Sequence, residues 1–396
     1  MAHYLTRRKL LGTMAGLMAT AGCMKPLGAD SEQASDPTYG ETKSNWPMLG
    51  HDPQNTGAAD IKFPEGRFQS EKIFEAANED RTDAPISASQ SVFVSRSDEG
   101  DQPEGAFALT AESGDQRWRA ADVVGYTTPS VYGKTIIFSG NGTTSAVNVT
   151  TGNVHWQQPV GASGFYRTHL KIDNSIVVSD SKSIVGLDAS TGEQLWESPD
   201  LGVISGLTTD GSRIYVTRNS STSSGLVALS PNSGEVKWKM NGMAGEGRPV
   251  VSDGLVYHTD IKTGTLRAFN SDNGSAKWRY KTNGADVPPA TSPDSSHIFL
   301  TGTDEGKLHV LNSKTGERKW TAEIAGKTQP VVTRNTVLLC REESIFQVSR
   351  SSQEVAKIVT PNKPISSPLS LGSESIYFTV RSEGGRSQKY VATLKE

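Results

Sequence analysis

The sequence predicts an all-β protein, an eight-bladed β-propeller whose blades are four-stranded antiparallel sheets and whose ring is closed by strands from both chain ends. The first observation is a recurring step from a glycine to a tryptophan four residues later. It occurs at Gly114/Trp118, Gly152/Trp156, Gly192/Trp196, Gly234/Trp238, Gly274/Trp278 and Gly316/Trp320, with tryptophan spacings of 38, 40, 42, 40 and 42 residues. A period of about forty residues is typical of a propeller.

The second observation is the strand pattern inside each repeat, which the fifth copy gives most clearly. Its strands A to D are residues 248–252, 255–259, 266–269 and 276–280. Asp253-Gly254 forms a tight hairpin turn between strands A and B. Apolar and polar residues alternate with period two between turn dipeptides, as in strands with one buried face. No window of similar length has a helical period with caps.

The third observation is that a late copy of the repeat lacks its signature residues and that one blade is divided between the two chain ends. A seventh copy at 345–348 has lost both signature residues, with Gln353 and Lys357 in their places. An eighth strand C at 390–394 has no strand D after it, whereas 69–74 forms a strand D that precedes the first strand A at 84–89. The two ends therefore share one blade. Closure of the ring removes sheet edges that invite aggregation.

The glycines and tryptophans of the repeat have structural explanations. A hairpin of three to five residues usually needs one residue with positive φ, which glycine adopts without steric cost. A tryptophan on the outer strand can wedge against the neighbouring blade and bury roughly 150–250 Å². We therefore expect structural docking by six side chains, Trp118, Trp156, Trp196, Trp238, Trp278 and Trp320.

The N-terminal residues read as an export signal followed by a lipid anchor. Residues 6–11, TRRKLL, resemble a twin-arginine signal, and the apolar stretch 10–21 is too short to span a bilayer. Residues 19–23, ATAGC, resemble a lipobox, so we expect signal removal after residue 22 and lipidation of Cys23. The polar residues to 44 form a flexible linker. The alternative is a plain secretory signal with a chance cysteine.

Composition excludes several kinds of protein. The formal net charge is −3 and no strongly basic surface is implied, so a nucleic-acid partner is disfavoured. Cys23 and Cys340 are the two cysteines, which rules out a disulfide framework and a cysteine-based zinc site. The histidines have no close metal-ligand spacing, so no metal site is predicted. From residue 45 the propeller domain begins, and Trp46 is expected to plug against the folded body.

The clearest copy of the repeat covers residues 187–196 and reads LDASTGEQLW. It resembles the tryptophan-docking repeat of the pyrroloquinoline-quinone-like propellers, which include eight-bladed quinoprotein alcohol dehydrogenases and the outer-membrane assembly lipoproteins of the BamB type. The resemblance covers about residues 45–396. An anchored chain with little enzyme-like chemistry is more similar to the BamB side. Twin-arginine export with a lipobox also resembles surface lipoproteins of halophilic archaea, so bacterial periplasm and archaeal surface both stay open.

The resemblance implies, for the enzymes, a calcium-bound quinone, an Asp base and a disulfide between adjacent cysteines. This sequence has no adjacent cysteines, and Cys340 sits in the apolar run 337–340, as a buried core residue would. Every repeat tryptophan is committed to docking, which leaves no stacking platform. We therefore expect no cofactor and no catalytic residues.

The predicted binding surface is the mouth of the central channel, where loops from strand D to the next strand A gather. Loops on a rigid scaffold are good binding platforms. The expected rim residues are Arg81, Tyr126, Tyr166, Arg167, Arg248, Asp286, Gln329 and Lys363. The function favoured is an exported, membrane-anchored module that binds or scaffolds another protein. The alternatives are a quinone-dependent dehydrogenase and a carbohydrate-binding envelope lectin.

Overall fold

The part of the chain that the structure describes folds into β-strands and turns. The structure, a computed structural model, describes residues 46–75, 84–88, 90–96, 104–161, 169–180, 182–219, 224–243, 245, 247–361, 363–381 and 387–394. The predicted signal at 1–22, lipidation of Cys23 and the linker to 44 lie outside these residues. Across the described ranges, no apolar helix of membrane-spanning length occurs.

The described strands group into eight antiparallel sheets of four strands each. Blade 1 comprises β2 (Ile86–Ala88), β3 (Ser91–Arg96), β4 (Gly105–Thr110) and β5 (Gln116–Ala120), and blade 2 comprises β6 (Ser130–Tyr132), β7 (Thr135–Gly140), β8 (Thr143–Asn148) and β9 (Val154–Gln158). Blade 3 comprises β10 (Leu170–Ile172), β11 (Ser175–Asp180), β12 (Ser183–Asp188) and β13 (Gln194–Glu197), and blade 4 comprises β14 (Ile204–Thr209), β15 (Ile214–Arg218), β16 (Gly225–Leu229) and β17 (Val236–Asn241).

Blades 5 to 7 follow in the same order, and blade 8 takes its outer strand from the N-terminal side. Blade 5 comprises β18 (Val250–Ser252), β19 (Leu255–Asp260), β20 (Thr265–Asn270) and β21 (Ala276–Lys281), and blade 6 comprises β22 (Ala290–Thr291), β23 (His297–Gly302), β24 (Lys307–Asn312) and β25 (Arg318–Ala322). Blade 7 comprises β26 (Val331–Val332), β27 (Thr336–Arg341), β28 (Ser344–Ser349) and β29 (Val355–Val359), and blade 8 comprises β30 (Ser370–Leu371), β31 (Ser375–Arg381), β32 (Ser387–Leu394) and β1 (Phe68–Glu75).

The ring is closed by the two chain ends, as the sequence predicted. In blade 8, β1 pairs antiparallel with β32, with Phe68 opposite Leu394 and Ser70 opposite Ala392. The inner strand β30 then lies beside β2 of blade 1. The eight-bladed propeller is therefore confirmed. In its closing blade β1 takes the outer position that strand D occupies in the other blades, so β32 is paired on both sides.

Neighbouring blades are joined where the tryptophan of one meets the C–D turn of the next. Gly192 has φ of 77°, and a Cβ there would lie 2.7 Å from the Trp156 ring of the preceding blade. Glycine is thus required both by the turn and by the close approach. Four indole N–H groups also donate to a carbonyl of the next blade, in the pairs Trp118–Val149, Trp156–Ala189, Trp238–Ser271 and Trp278–Ser313.

Blade 7 keeps the backbone of the repeat without its signature residues. Gln353 stands in the glycine position and retains a left-handed φ of 64°. Lys357 stands in the tryptophan position and lies opposite Phe346. The bulge of the outer strand falls after Lys357, whereas in blade 6 it falls before Trp320. Loss of the tryptophan therefore shifts the local register but leaves a four-stranded blade.

Residues 46–59, here called the channel segment, run through the centre of the ring. In six blades the backbone N–H at one repeat position of strand A donates to a carbonyl of this segment. The pairs are Ser87–Trp46 at 3.1 Å, Val131–Pro47 at 2.8 Å, Thr209–Pro53 at 2.9 Å, Val251–Gln54 at 2.9 Å, Thr291–Thr56 at 2.8 Å and Val332–Gly57 at 2.8 Å. Inner strands have no further strand to pair with, and the channel segment supplies acceptors in its place.

The channel segment is bent so that both its arms open toward the hairpin end of the ring. Trp46 bridges Ser87 in antiparallel orientation, and Ala58 bridges Val332 in parallel orientation. The bend between them lies at the opposite end, the mouth formed by the D–A loops. Trp46 is 2% exposed, so it is packed into the body as predicted from the sequence.

After the channel segment, the chain crosses blade 7 on its way to β1. The side chain of Asn335 accepts from the Phe63 N–H and donates to the Phe63 carbonyl, both at 2.9 Å. Gln347 donates to the Pro64 carbonyl at 2.9 Å. Gln347 is buried. Blade 7 is therefore adapted to hold this crossing strand.

Candidate functional site

Three of the predicted rim residues meet at one cavity, and Tyr126 and Lys363 are not among its lining residues. Arg248, Asp286 and Gln329 line the same cavity at the mouth. Tyr126 lies in the loop before blade 2, where its N–H donates to the Ser139 carbonyl at 2.7 Å. The ammonium of Lys363 donates to Gln388 Oε1 at 2.8 Å. Arg81, Tyr166 and Arg167 lie outside the described residues.

This mouth cavity has a volume of about 240 Å³ and is formed by loops of four successive blades. Its floor is Leu49, from the bend of the channel segment. Its walls are the D–A loops that precede blades 5, 6, 7 and 8, with lining residues Gly247, Arg248, Asp286, Val287, Pro288, Lys327, Thr328, Gln329, Ile365, Ser366 and Pro368. An apolar floor with charged groups at the edge is the usual composition of a binding pocket.

Arg248 and Gln329 are buried, at 6% and 8% exposure, which corrects their assignment to an open rim. The guanidinium of Arg248 donates to the Leu49 carbonyl. The amide of Gln329 donates to the carbonyls of Asn55 at 2.8 Å and Pro289 at 2.9 Å. Both side chains are used to hold the bend of the channel segment, because its backbone carbonyls need donors when they leave water.

The charge of Arg248 is retained at neutral pH. Burial lowers the pKa of its guanidinium to about 9, and the nearby Asp52 carboxylate opposes that shift. Asp52 itself is tied into the bend, since its Oδ1 accepts from the Thr56 N–H at 3.0 Å. A buried cation that holds a carbonyl is costly to remove, so the floor of the mouth cavity is expected to be rigid.

The exposed charged groups of the mouth cavity are Asp286 and Lys327, from the loops before blades 6 and 7. Asp286 accepts from the Thr303 hydroxyl at 2.6 Å, which fixes its carboxylate. Among the described residues, the buried Thr328 Oγ1 has no hydrogen-bond partner. The cavity thus offers one anion and one cation at its edge above an apolar floor, which suits binding of a short polypeptide segment.

His258 lies behind the wall of the mouth cavity, near Arg248 and Asp286. It is 2% exposed, and its Nε2 has no hydrogen-bond partner among the described residues. Burial lowers the pKa of His258 to about 4, with opposing contributions from Asp260 and Arg267. The ring is therefore neutral at physiological pH and cannot serve there as a charged group.

The mouth does not fit a calcium-bound quinone. Its space below Leu49 is filled by the channel segment, and no tryptophan lines the cavity. Asp286 is the sole carboxylate among the lining residues that the structure describes there. In the described ranges, His, Cys, Asp and Glu side chains form no cluster of three that could hold a metal ion. Cys340 is buried within blade 7, and burial raises the pKa of its thiol to about 12.

Sequence reasoning missed Leu49, Thr328 and His258. Each has an ordinary apolar or polar identity, and its position follows from the route of the channel segment rather than from the repeat. A usable signal was present in residues 50–57, where glycine, asparagine, proline and threonine are dense. Such composition is typical of backbone that packs closely against other backbone.

Comparison with known proteins identifies relatives of the whole ring. The family model described as outer membrane protein assembly factor BamB matches residues 69–181 and 180–381, which is most of the chain. Among curated proteins, the outer membrane protein assembly factor BamB of Yersinia pestis is 35% identical over 144 residues, 31% of this chain and 35% of that protein. The match thus spans about a third of the length of that relative.

Solved structures resemble the chain in fold. BamB from Moraxella catarrhalis matches with a TM-score of 0.59 and 16% identity, over 81% of this chain and 99% of that one. A quinohemoprotein alcohol dehydrogenase from Pseudomonas putida HK5 matches with a TM-score of 0.68 and 11% identity, over 89% of this chain and 80% of that one. At these identities the likeness concerns the propeller alone.

Proposed function

The chain belongs to the family of the outer membrane protein assembly factor BamB, and from that premise we propose that it is an exported, lipid-anchored propeller that binds a protein partner at the cell envelope. It has no enzymatic role in this proposal. The N-terminal residues support export and anchoring through the twin arginines at 7–8 and the lipobox-like sequence that ends at Cys23. The partner would dock at the mouth cavity.

The mouth cavity is the observation on which the proposed role depends. Four loops from a rigid ring surround an apolar floor, and two of them bring the fixed carboxylate of Asp286 and the ammonium of Lys327 to the same cavity. An extended peptide can place one apolar side chain over Leu49. Binding surfaces of this kind bury an anchor in a preformed pocket and use charges at the edge for orientation.

A crosslinking experiment tests the docking site. A photoreactive amino acid is placed at Lys327, at the edge of the mouth cavity, and a matched one at Leu195, which is 53% exposed on the outside of blade 3. We expect a discrete crosslinked protein from native membranes with the Lys327 variant alone. Equal crosslinking patterns from both positions would show that the mouth is not the docking surface.

A fractionation experiment tests the anchor. Cys23→Ser removes the thiol that the lipid would use, so we expect the full-length variant to leave the membrane fraction and appear in the soluble extracytoplasmic fraction. Cys340→Ser is the matched control, because its thiol is buried in blade 7. Unchanged membrane association of the Cys23→Ser protein would reject the lipid anchor without touching the docking proposal.

A reconstitution assay tests the enzymatic alternative. The protein is incubated with pyrroloquinoline quinone and calcium and assayed for dye-linked oxidation of alcohols or sugars. Because the channel segment fills the space below Leu49, we expect no quinone absorbance to co-elute with the protein and no oxidation above background. Stoichiometric retention of the quinone with measurable turnover would overturn the binding-module proposal.

A further inference from the structure

At the junction between blades 6 and 7, a repeat tryptophan is followed by a blade whose C–D turn has lost its glycine. Trp278 of blade 5 packs on Gly316 of the next blade and donates to the Ser313 carbonyl at 2.9 Å. For Trp320 of blade 6, the equivalent position of the next blade is Gln353 instead of a glycine. Its indole N–H has no acceptor among the described residues. Trp196 has no acceptor for its indole N–H either, although it packs on Gly234. Trp320 is therefore set apart by the Gln353 side chain in the neighbouring turn.

The Trp320 ring is also oriented differently from the ring of Trp278. It meets Phe299 at an interplanar angle of 76°, whereas Trp278 meets Tyr257, at the same positions of blade 5, at 47°. A cavity of about 400 Å³ opens beside it, here called the six–seven groove. Its lining includes His297, Phe299, Trp320, Arg334, Asn335 and Arg350. The groove lies on the outside of the ring, apart from the mouth cavity.

Arg350 supplies a positioned cation at the edge of this groove. Its Nη1 donates to the carbonyls of Thr333 at 2.7 Å and Arg334 at 2.9 Å, and its guanidinium lies 5.6 Å from the Phe299 ring centre. Within the described ranges, Nε and Nη2 of Arg350 have no hydrogen-bond partner. Two parallel N–H donors on a fixed guanidinium match the two oxygens of a carboxylate.

The remaining polar groups of the groove are already engaged in part. The guanidinium of Arg334 pairs with Asp60, with Nη2 to Oδ2 at 2.9 Å. Asp294 is the acidic neighbour of Arg350, and its Oδ1 accepts from Ser296 Oγ at 2.7 Å. His297 contacts Ser296 through Nδ1 at 2.6 Å. The unused binding capacity is therefore concentrated on Arg350 and the indole of Trp320.

We propose that the six–seven groove binds a ring-shaped ligand that carries a carboxylate. The Trp320 ring provides an apolar face against which a flat or chair-shaped ring can stack, with the buried Phe299 ring behind it. The free edge of Arg350 receives the carboxylate, and the indole N–H donates to a ring hydroxyl or to the second carboxylate oxygen. Two sources share this chemistry, an acidic sugar unit of a glycan and a free aromatic acid.

The test uses the full-length protein and three probes, namely a galacturonic acid oligosaccharide, benzoate and neutral glucose. Binding is followed by tryptophan fluorescence and by calorimetry. We expect saturable binding of one of the two acids, with a Kd on the order of 1 mM or tighter, and none of glucose. Preference for the oligosaccharide identifies a glycan source, and preference for benzoate identifies an aromatic acid.

Variants assign the binding to the groove. Trp320→Phe retains a ring but removes the reporting indole, so the fluorescence change is expected to disappear, whereas Trp278→Phe, the matched change at a closed junction, keeps it. Arg350→Gln is expected to weaken calorimetric affinity tenfold or more, by the usual loss of a charged hydrogen bond. Circular dichroism checks that each variant is folded. Absence of acid binding to the wild-type protein, or equal affinity of the wild-type and Arg350→Gln proteins, would overturn the proposal.

Discussion

The side-chain amide of Gln329 donates to the backbone carbonyl of Asn55 at 2.8 Å and so fastens the channel segment to the loop before blade 7. Gln329→Ala leaves the buried carbonyls of Asn55 and Pro289 without this donor. We expect the free energy of unfolding to fall by about 1–3 kcal/mol, measured by urea denaturation. Gln194→Ala, on the exposed outer strand of blade 3, should change it by less than about 0.5 kcal/mol. Equal values for the two would mean that the bend is not held by Gln329.

Removal of a docked tryptophan should cost more than removal of an undocked one. Trp156 is 7% exposed, packs on Gly192 and donates to the Ala189 carbonyl at 3.0 Å. We expect Trp156→Ala to lower the free energy of unfolding by about 3–5 kcal/mol. Trp320→Ala, which loses neither a glycine contact nor a hydrogen bond, should cost less by about 1 kcal/mol or more. Denaturation curves in which Trp320→Ala is the more harmful change would contradict the docking interpretation.

Substitution of two glycines that have similar φ angles distinguishes the energetic cost of backbone strain from that of steric contact. Gly211 has φ of 85° and open space where a Cβ would stand, so Gly211→Ala should cost roughly 1–2 kcal/mol through φ alone. Gly192 has φ of 77° and the Trp156 ring 2.7 Å from the added Cβ. Gly192→Ala should therefore cost a further 1–3 kcal/mol or so, from overpacking. Thermal unfolding of the two variants in parallel tests the difference, and equal losses would place the tryptophan elsewhere.

Two buried histidines make the fold sensitive to acid. Burial lowers the pKa of His169 to about 3 and of His258 to about 4. The unfolded chain, with an ordinary pKa of about 6.5, takes up protons that the folded rings refuse, so stability is complete above that value and falls as the pH drops toward 4. Below about pH 6, each histidine lowers the free energy of unfolding by about 1.4 kcal/mol for every unit by which the pH falls.

The variant His169→Gln checks this sign. Its urea-denaturation free energy should depend less on pH between 6 and 5, by about 1.4 kcal/mol, than that of the wild-type protein. His155→Gln, on the exposed outer strand of blade 2, is the control and should leave the slope unchanged. A His169→Gln protein with the wild-type slope would show that this ring is protonated in the folded state.

The propeller could be predicted from the sequence because the residue patterns that indicate it are local. Each intact copy has a glycine in the C–D turn and a tryptophan four residues later, as at Gly192 and Trp196. The spacing of these pairs therefore predicted the number of blades. Loss of both residues at Gln353 and Lys357, together with the lone strand before residue 84, predicted closure correctly. These features depend on neighbours in the chain, which a sequence displays directly.

The site was predicted less well because its cause lies far away in sequence. The carbonyl that engages Arg248 belongs to Leu49, about two hundred residues earlier, and the contact is made with backbone that has no side-chain signature. Arg248 and Gln329 therefore resembled exposed loop residues. The six–seven groove was likewise invisible, since it depends on the orientation of the Trp320 ring beside a turn that has Gln353 instead of a glycine.

The channel segment also changes how the ring is expected to come apart. Repeat proteins usually lose structure one unit at a time, because each unit contacts its neighbours alone. Here a stretch of fourteen residues, 46–59, is hydrogen-bonded to the inner strands of six blades. Opening any of those blades releases part of a segment to which the other five blades are also bonded. Amide hydrogen exchange at Val131, Thr209, Thr291 and Val332 should therefore report a single global opening rather than a gradient around the circle.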